Sequence, residues 1–144
     1  MLFDQQNPIN QLCAQGMLLE GEAKPEEAAK LFMQAWNEAT NTAEKFIAAH
    51  YVARHQDSVA DKLKWDDTAL SLALGLDNPE VNGALPSLYL NIAKCYEDLK
   101  DFDKAAENYK SALECTKFLP EDGYSNMIRS GIKSGMERVS LLSQ

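Results

Sequence analysis

No run of apolar residues in this 144-residue chain approaches the roughly 20 needed to span a bilayer, so no membrane partner is expected. The opening Met1-Leu2-Phe3-Asp4-Gln5 lacks the basic stretch and apolar run of an export signal, and the chain reads as cytoplasmic. Cysteine is sparse. Cys13, Cys95 and Cys115 are odd in number and show no CxxC spacing, which argues against disulfides and a zinc site and leaves reduced thiols acting as small hydrophobes. Positive charge is also short, with 14 Lys and Arg against 22 Asp and Glu and a formal net charge of -8. That balance repels a phosphate backbone and argues against nucleic-acid binding, while suiting a basic or mixed-charge protein partner.

Signatures of catalysis are missing as well. There is no strand leading into GxGxxG, no phosphate-cradling GxxxxGK[ST], no HExxH, and no Ser or Cys with a base and an orienting group nearby. The sequence therefore predicts no catalytic residue, no cofactor and no metal. His50, Tyr51, Arg54 and His55 form an unusual cluster, but two histidines five apart fall on different faces of a helix and do not converge on an ion. His50 reads instead as a hydrogen-bonded packing histidine.

What the chain does have is repetition. Tyr89, Ile92, Ala93, Tyr96, Ala105, Tyr109 and Ala112 recur, 77 residues earlier and with the same offsets, as Leu12, Gln15, Gly16, Leu19, Ala28, Phe32 and Ala35. Small residues at Gly16, Ala28, Ala93 and Ala105 let two antiparallel backbones approach, while Leu19, Phe32, Tyr96 and Tyr109 fill the space beside them. This alternation resembles the tetratricopeptide repeat, a helix-turn-helix unit of about 34 residues, in the form of a small bacterial-type protein. The resemblance implies an all-α fold, an α-α superhelix of three helix pairs plus a C-terminal capping helix, about seven helices in one domain over 1–144.

Boundaries follow from local signals. Repeat 1 is placed at about 9–39, where Asn7-Pro8 starts a helix ended by Gly21 and the Lys24-Pro25 pair, and Pro25 opens the next with Glu26 and Glu27 in its first turn. A degenerate, extended repeat 2 spans about 41–78. Its spacing runs seven residues over the period, close to two helical turns, which predicts lengthened helices 2A (about 41–57) and 2B (about 62–76) with a projecting tip from Arg54 to Trp65. Repeat 3 covers about 86–118, and a capping helix covers about 121–142 with Tyr124, Met127, Ile128, Gly131, Ile132, Gly135, Met136, Val139 and Leu142 on one face.

By the same resemblance the inner surface of the first helix in each pair holds peptides. The residues placed there include Asn10, Cys13, Met17, Ile47, Tyr51, Arg54, Leu90, Asn91 and Lys94, an apolar groove with Arg54, Lys94 and Asn91 able to bind a carboxylate or a carbonyl. The lysines, asparagines and arginine of the chaperone-tail clamp are not at the matching places, which hold Cys13, Met17, Ala48, Ser87 and Asn91. Trp36 reads as core. Trp65 is either an interface anchor or a side chain folded back over the ends of helices 2A and 2B. The predicted function is a non-enzymatic adaptor binding a peptide or protein in the concave groove or at the 2A/2B tip. Two alternatives are a homo-oligomeric scaffold and a regulatory accessory domain of a separate enzyme.

Overall fold

An asparagine before a proline starts the first helix as the sequence requires. Asn7 Oδ1 accepts from the amides of Ile9 and Asn10 at 2.8 and 3.1 Å, and Pro8 occupies the first turn, where its missing N–H is no loss. The computed structural model describes residues 2–142 and is all-α, with no strand among those residues. It divides into two units, Met1–Asp77 and Asn78–Gln144. The first holds α1 (Pro8–Gly21), α2 (Pro25–Glu38), α3 (Thr42–Val52) and α4 (Val59–Leu74). The second holds α5 (Leu85–Asp98), α6 (Phe102–Cys115) and α7 (Gly123–Leu142).

Inside each unit the helices pair antiparallel around a large ring set against a small residue. In the first, Ala28, Phe32 and Ala35 of α2 are fully buried, and the Phe32 ring lies so close to Gly16 of α1 that a methyl group at that position would run into it. In the second, Ala93, Ala105, Tyr109 and Val139 form one cluster and Ala112, Ile128 and Ile132 another. There Gly135 of α7 meets the Tyr109 ring with no room for a Cβ. The third helix of each set, α3 or α7, packs on both members of the pair before it.

The turn between the paired helices is the same in both units. Lys24 N–H donates to Leu19 O and Ala23 N–H to Glu20 O, at 2.9 and 3.1 Å; Asp101 N–H donates to Tyr96 O and Lys100 N–H to Glu97 O, at 2.9 and 3.0 Å. These are Schellman motifs, in which one residue takes the left-handed conformation. That residue is Ala23 (φ 60°) in the first and Lys100 (φ 64°) in the second. Helix α1 ends at Gly21 as expected, and the left-handed residue that closes its turn is Ala23, not the glycine.

Several expected details change. Helix 2A is not lengthened: α3 is an 11-residue helix that gives way at Ala53–His55 to a 3-10 turn, and only α4, at 16 residues, exceeds its neighbours. The start of the expected tip is tied down, because this turn packs against α4 and α2, with Ala53 buried. The third pair's second helix ends as α-helix at Cys115 and continues to Phe118 as a 3-10 turn. The buried stripe of α7 is Ser125, Ile128, Ile132, Gly135 and Val139, while Tyr124 and Met127 are 60% and 62% exposed and Leu142 is also outside.

Two outcomes follow for stability. Ala23→Gly and Lys100→Gly relieve a side chain from left-handed backbone and should each raise the unfolding free energy by about 0.5–1 kcal/mol, read as a higher Tm. Gly135→Ala forces Tyr109 out of its seat and should cost about 1–3 kcal/mol in denaturant unfolding, whereas Gly83→Ala, with nothing near its Cβ, should not.

Candidate functional site

Residues spaced three and four apart share a helix face, and α1 uses that spacing to present Asn10, Cys13, Ala14 and Met17 together. Opposite them α3 presents Ile47 and Tyr51. Between the two helices lies a cleft of about 390 Å³ whose remaining wall is Phe3, Gln5 and Gln11. Cys13 and Ile47 form a buried floor, at 2% and 5% exposure, while Phe3 and Met17 stand on the rim at 53% and 41%. The lining is mostly apolar, with amides at one end.

The N-terminal segment is part of this wall because α1 holds it there. Asn10 Nδ2 donates to Asp4 O at 2.9 Å and Leu2 O at 3.3 Å, and Gln11 Nε2 donates to Gln5 O at 3.2 Å. Leu2 is buried beneath this strap. A second tie joins the two helices that form the cleft: Glu44 of α3 accepts from Asn7 Nδ2 at 2.9 Å and from Thr40 N–H at 2.9 Å. Those bonds, from the Thr40 backbone first and then from Asn7, hold the Glu44 carboxyl below its ordinary range.

At the Tyr51 end sits a charged cluster. Glu20 accepts from Arg54 Nη1 at 3.2 Å and pairs with His55 Nε2 at 2.7 Å, and the Arg54 guanidinium lies 5.1 Å from the centre of the Tyr51 ring. Phe32 stacks on both Tyr51 and His55, at 5.1 and 5.6 Å. Arg54, expected to meet a ligand's carboxylate, thus has its charge answered by Glu20 within the chain. Burial pushes the Cys13 thiol up to about 12, so it stays protonated at neutral pH and acts as apolar floor and not as a nucleophile.

Five of the nine groove residues expected from the sequence, Asn10, Cys13, Met17, Ile47 and Tyr51, line this one cleft, and Arg54 adjoins it. The other three lie in the second unit. Leu90 is not an open groove side chain: it is half-buried against both apolar clusters, with its methyls over Gly131 of α7. Asn91 is half-buried, and Lys94 is exposed with Nζ 2.6 Å from Asp98 Oδ1. Trp65 is half-buried edge-on to Trp36, ring centres 5.0 Å apart, and Lys45 caps Trp36 at 4.5 Å. Phe3 and Gln5 of the strap and Gln11 and Ala14 of α1 were not among the expected lining, and the strap's position depends on side-chain bonds that no periodicity announces.

The carboxylate at the end of the first helix is clamped in the second unit too. Arg138 of α7 donates to Glu97 through Nε and Nη2, at 2.8 and 3.1 Å, and the Tyr109 hydroxyl donates to Glu97 at 2.6 Å. Burial raises Glu97, but hydrogen bonds from Arg138 and Tyr109 outweigh it and keep the carboxyl below its ordinary range.

Residues 86–115, which are α5 with α6, match the family model described as tetratricopeptide repeat, so this helix pair is a tetratricopeptide repeat. Repeats of this family generally mediate protein–protein interaction. No curated protein and no solved structure matches the chain significantly. Among the described residues no helix is long and apolar enough to cross a membrane, and no group of three or more His, Cys, Asp or Glu is placed to hold a metal ion.

His50 packs as expected but is not hydrogen-bonded through Nδ1, which is buried without a partner among the described residues. Burial, with Arg54 and Lys62 adding to it, lowers its pKa from 6.5 to about 4. The folded pKa lies below the unfolded one, so the unfolded chain takes up the proton first as pH falls. Stability should be level above about pH 7 and decline between about 6.5 and 4 by up to about 1.4 kcal/mol per pH unit. His50→Leu should remove that decline in urea titrations across this range; an unchanged decline would assign it to other groups.

Proposed function

We propose that the chain is a non-enzymatic adaptor that holds a peptide segment of another protein in the α1/α3 cleft of its first unit. The observation that carries this reading is the convergence of Cys13, Met17, Ile47 and Tyr51 on one open apolar trough with amides at one end, the lining that takes a side chain from a docked segment while its backbone finds hydrogen bonds. The protonated state of Cys13 supports binding over chemistry at that floor. We read α1 with α2, α3 with α4 and α5 with α6 as three helix pairs, and α7 as the cap. In support, the face of α7 bearing Ser130, Lys133, Ser134 and Glu137 is exposed and polar, as suits the end of a stack.

Phe3→Ser and Met17→Ser test the reading, since both side chains are rim residues with little to lose on folding. Peptides selected from a random displayed library against the native chain should bind the double variant at least roughly tenfold more weakly, with Tm nearly unchanged. Selected peptides that bind both proteins equally would move the interaction surface elsewhere.

A further inference from the structure

A residue can be fixed by its neighbours while its own side chain stays in solvent, and the strap of residues 2–6 does this to Phe3. On one side Leu2 is buried at 6% exposure, and its carbonyl accepts from Asn10 Nδ2 at 3.3 Å. On the other, Asp4 O accepts from the same amide at 2.9 Å and from the Asn7 N–H at 3.1 Å. Asp4 Oδ1 accepts from the Gln6 N–H at 2.9 Å, and Gln11 Nε2 secures the Gln5 carbonyl at 3.2 Å. Between these ties Phe3 stands half in solvent on the rim of the cleft. An aromatic side chain whose backbone is already held loses little conformational entropy when it closes against a ligand, and its burial strengthens the contact.

The strap is wall and not occupant. Leu2 does not line the opening, the floor of Cys13, Ile47 and Tyr51 belongs to α1 and α3, and a cleft of about 390 Å³ stays open beside Phe3. A segment has room to enter with the strap in place, and a detached strap would withhold the Phe3 contact from it. The strap is also readily lifted. It is held to α1 through the side-chain amides of Asn10 and Gln11, at the margin of the helix pairs, so it opens locally while the buried rings stay seated. Building on the adaptor reading above, we infer that residues 2–6 form a clasp, in which Leu2 and Asn10 hold Phe3 over the cleft so that it closes on the partner segment docked there. Leu2 is a positioning residue and Phe3 is the contact. Linkage makes the clasp reciprocal: a docked segment holds the strap down by as much as the strap holds the segment.

Two measurements test this, both with a library-selected peptide that the Phe3→Ser, Met17→Ser double variant binds weakly. In the first, Leu2→Ser should weaken binding roughly tenfold, through faster dissociation, and Leu2→Met should restore it. Tm should stay nearly unchanged in both, because the strap opens without the core. The second needs no substitution. Saturating peptide should slow hydrogen exchange of the Gln6 and Asn7 amides of the native chain roughly tenfold by NMR, since both donate to Asp4 only while the strap is folded. Unchanged or tighter binding by Leu2→Ser, or Gln6 and Asn7 amides that exchange as fast with peptide as without, would overturn the clasp and leave the adaptor reading standing. Selected peptides that all bind the double variant as tightly as the native chain lie outside the cleft, and they overturn the adaptor reading and the clasp with it.

Discussion

A ring can lie against a helix backbone only where that helix carries no side chain, and both units are organised around this fact. Gly16 admits Phe32 and Gly135 admits Tyr109, each ring fully buried. Once the ring is seated, the separation of the two helices it joins is set, α1 from α2 in the first unit and α6 from α7 in the second, because the interior is packed too tightly to give more than a few tenths of an ångström. The remaining contacts are then matters of register. Ala28 and Ala35 or Ala105 and Ala112 follow on the same face, and a third helix finds a surface already shaped for it.

Polar groups fix that third helix. A carboxylate at the end of the first helix receives an arginine in both units, Glu20 from Arg54 in the 3-10 turn that ends α3 and Glu97 from Arg138 of α7. The second clamp is the stronger geometry, a two-nitrogen contact with a tyrosine hydroxyl completing it, and the Glu97 side chain is shielded while Arg138 is exposed. The first is more exposed and depends on His55 for its second contact. One skeleton thus carries two pairings of large and small side chains, Leu90 over Gly131 in the second unit and Ile47 beside Cys13 in the first.

The skeleton was legible in the residues because spacing alone determines which side chains share a helix face. Asn7-Pro8 and Pro25 marked helix starts correctly, since caps and proline act locally. Elements decided by tertiary contacts were not legible. The 3-10 turn that ends α3 brings Arg54 and His55 to Glu20, and nothing within that segment forbids another turn of α-helix. Ala23 and Lys100 sit where glycine is the usual choice, so the left-handed residues of the two turns carry no glycine signal, although α1 does end at Gly21. Of the site, the α1 and α3 linings followed from the repeat, while the strap wall did not. Leu90 was assigned to an open groove because the repeat pattern cannot tell whether the next helix covers it.

The edge-to-face contact of Trp36 with Trp65 gives the molecule an optical asymmetry. Both indoles of the chain are in the first unit and in touch with one another, and the second unit has none. Intrinsic indole emission, excited at the red edge of absorbance, therefore witnesses α2 and α4 alone, whereas far-ultraviolet ellipticity sums every helix. Any lag between the two signals during melting measures how far the halves come apart as independent cooperative bodies, without a label or an added chromophore.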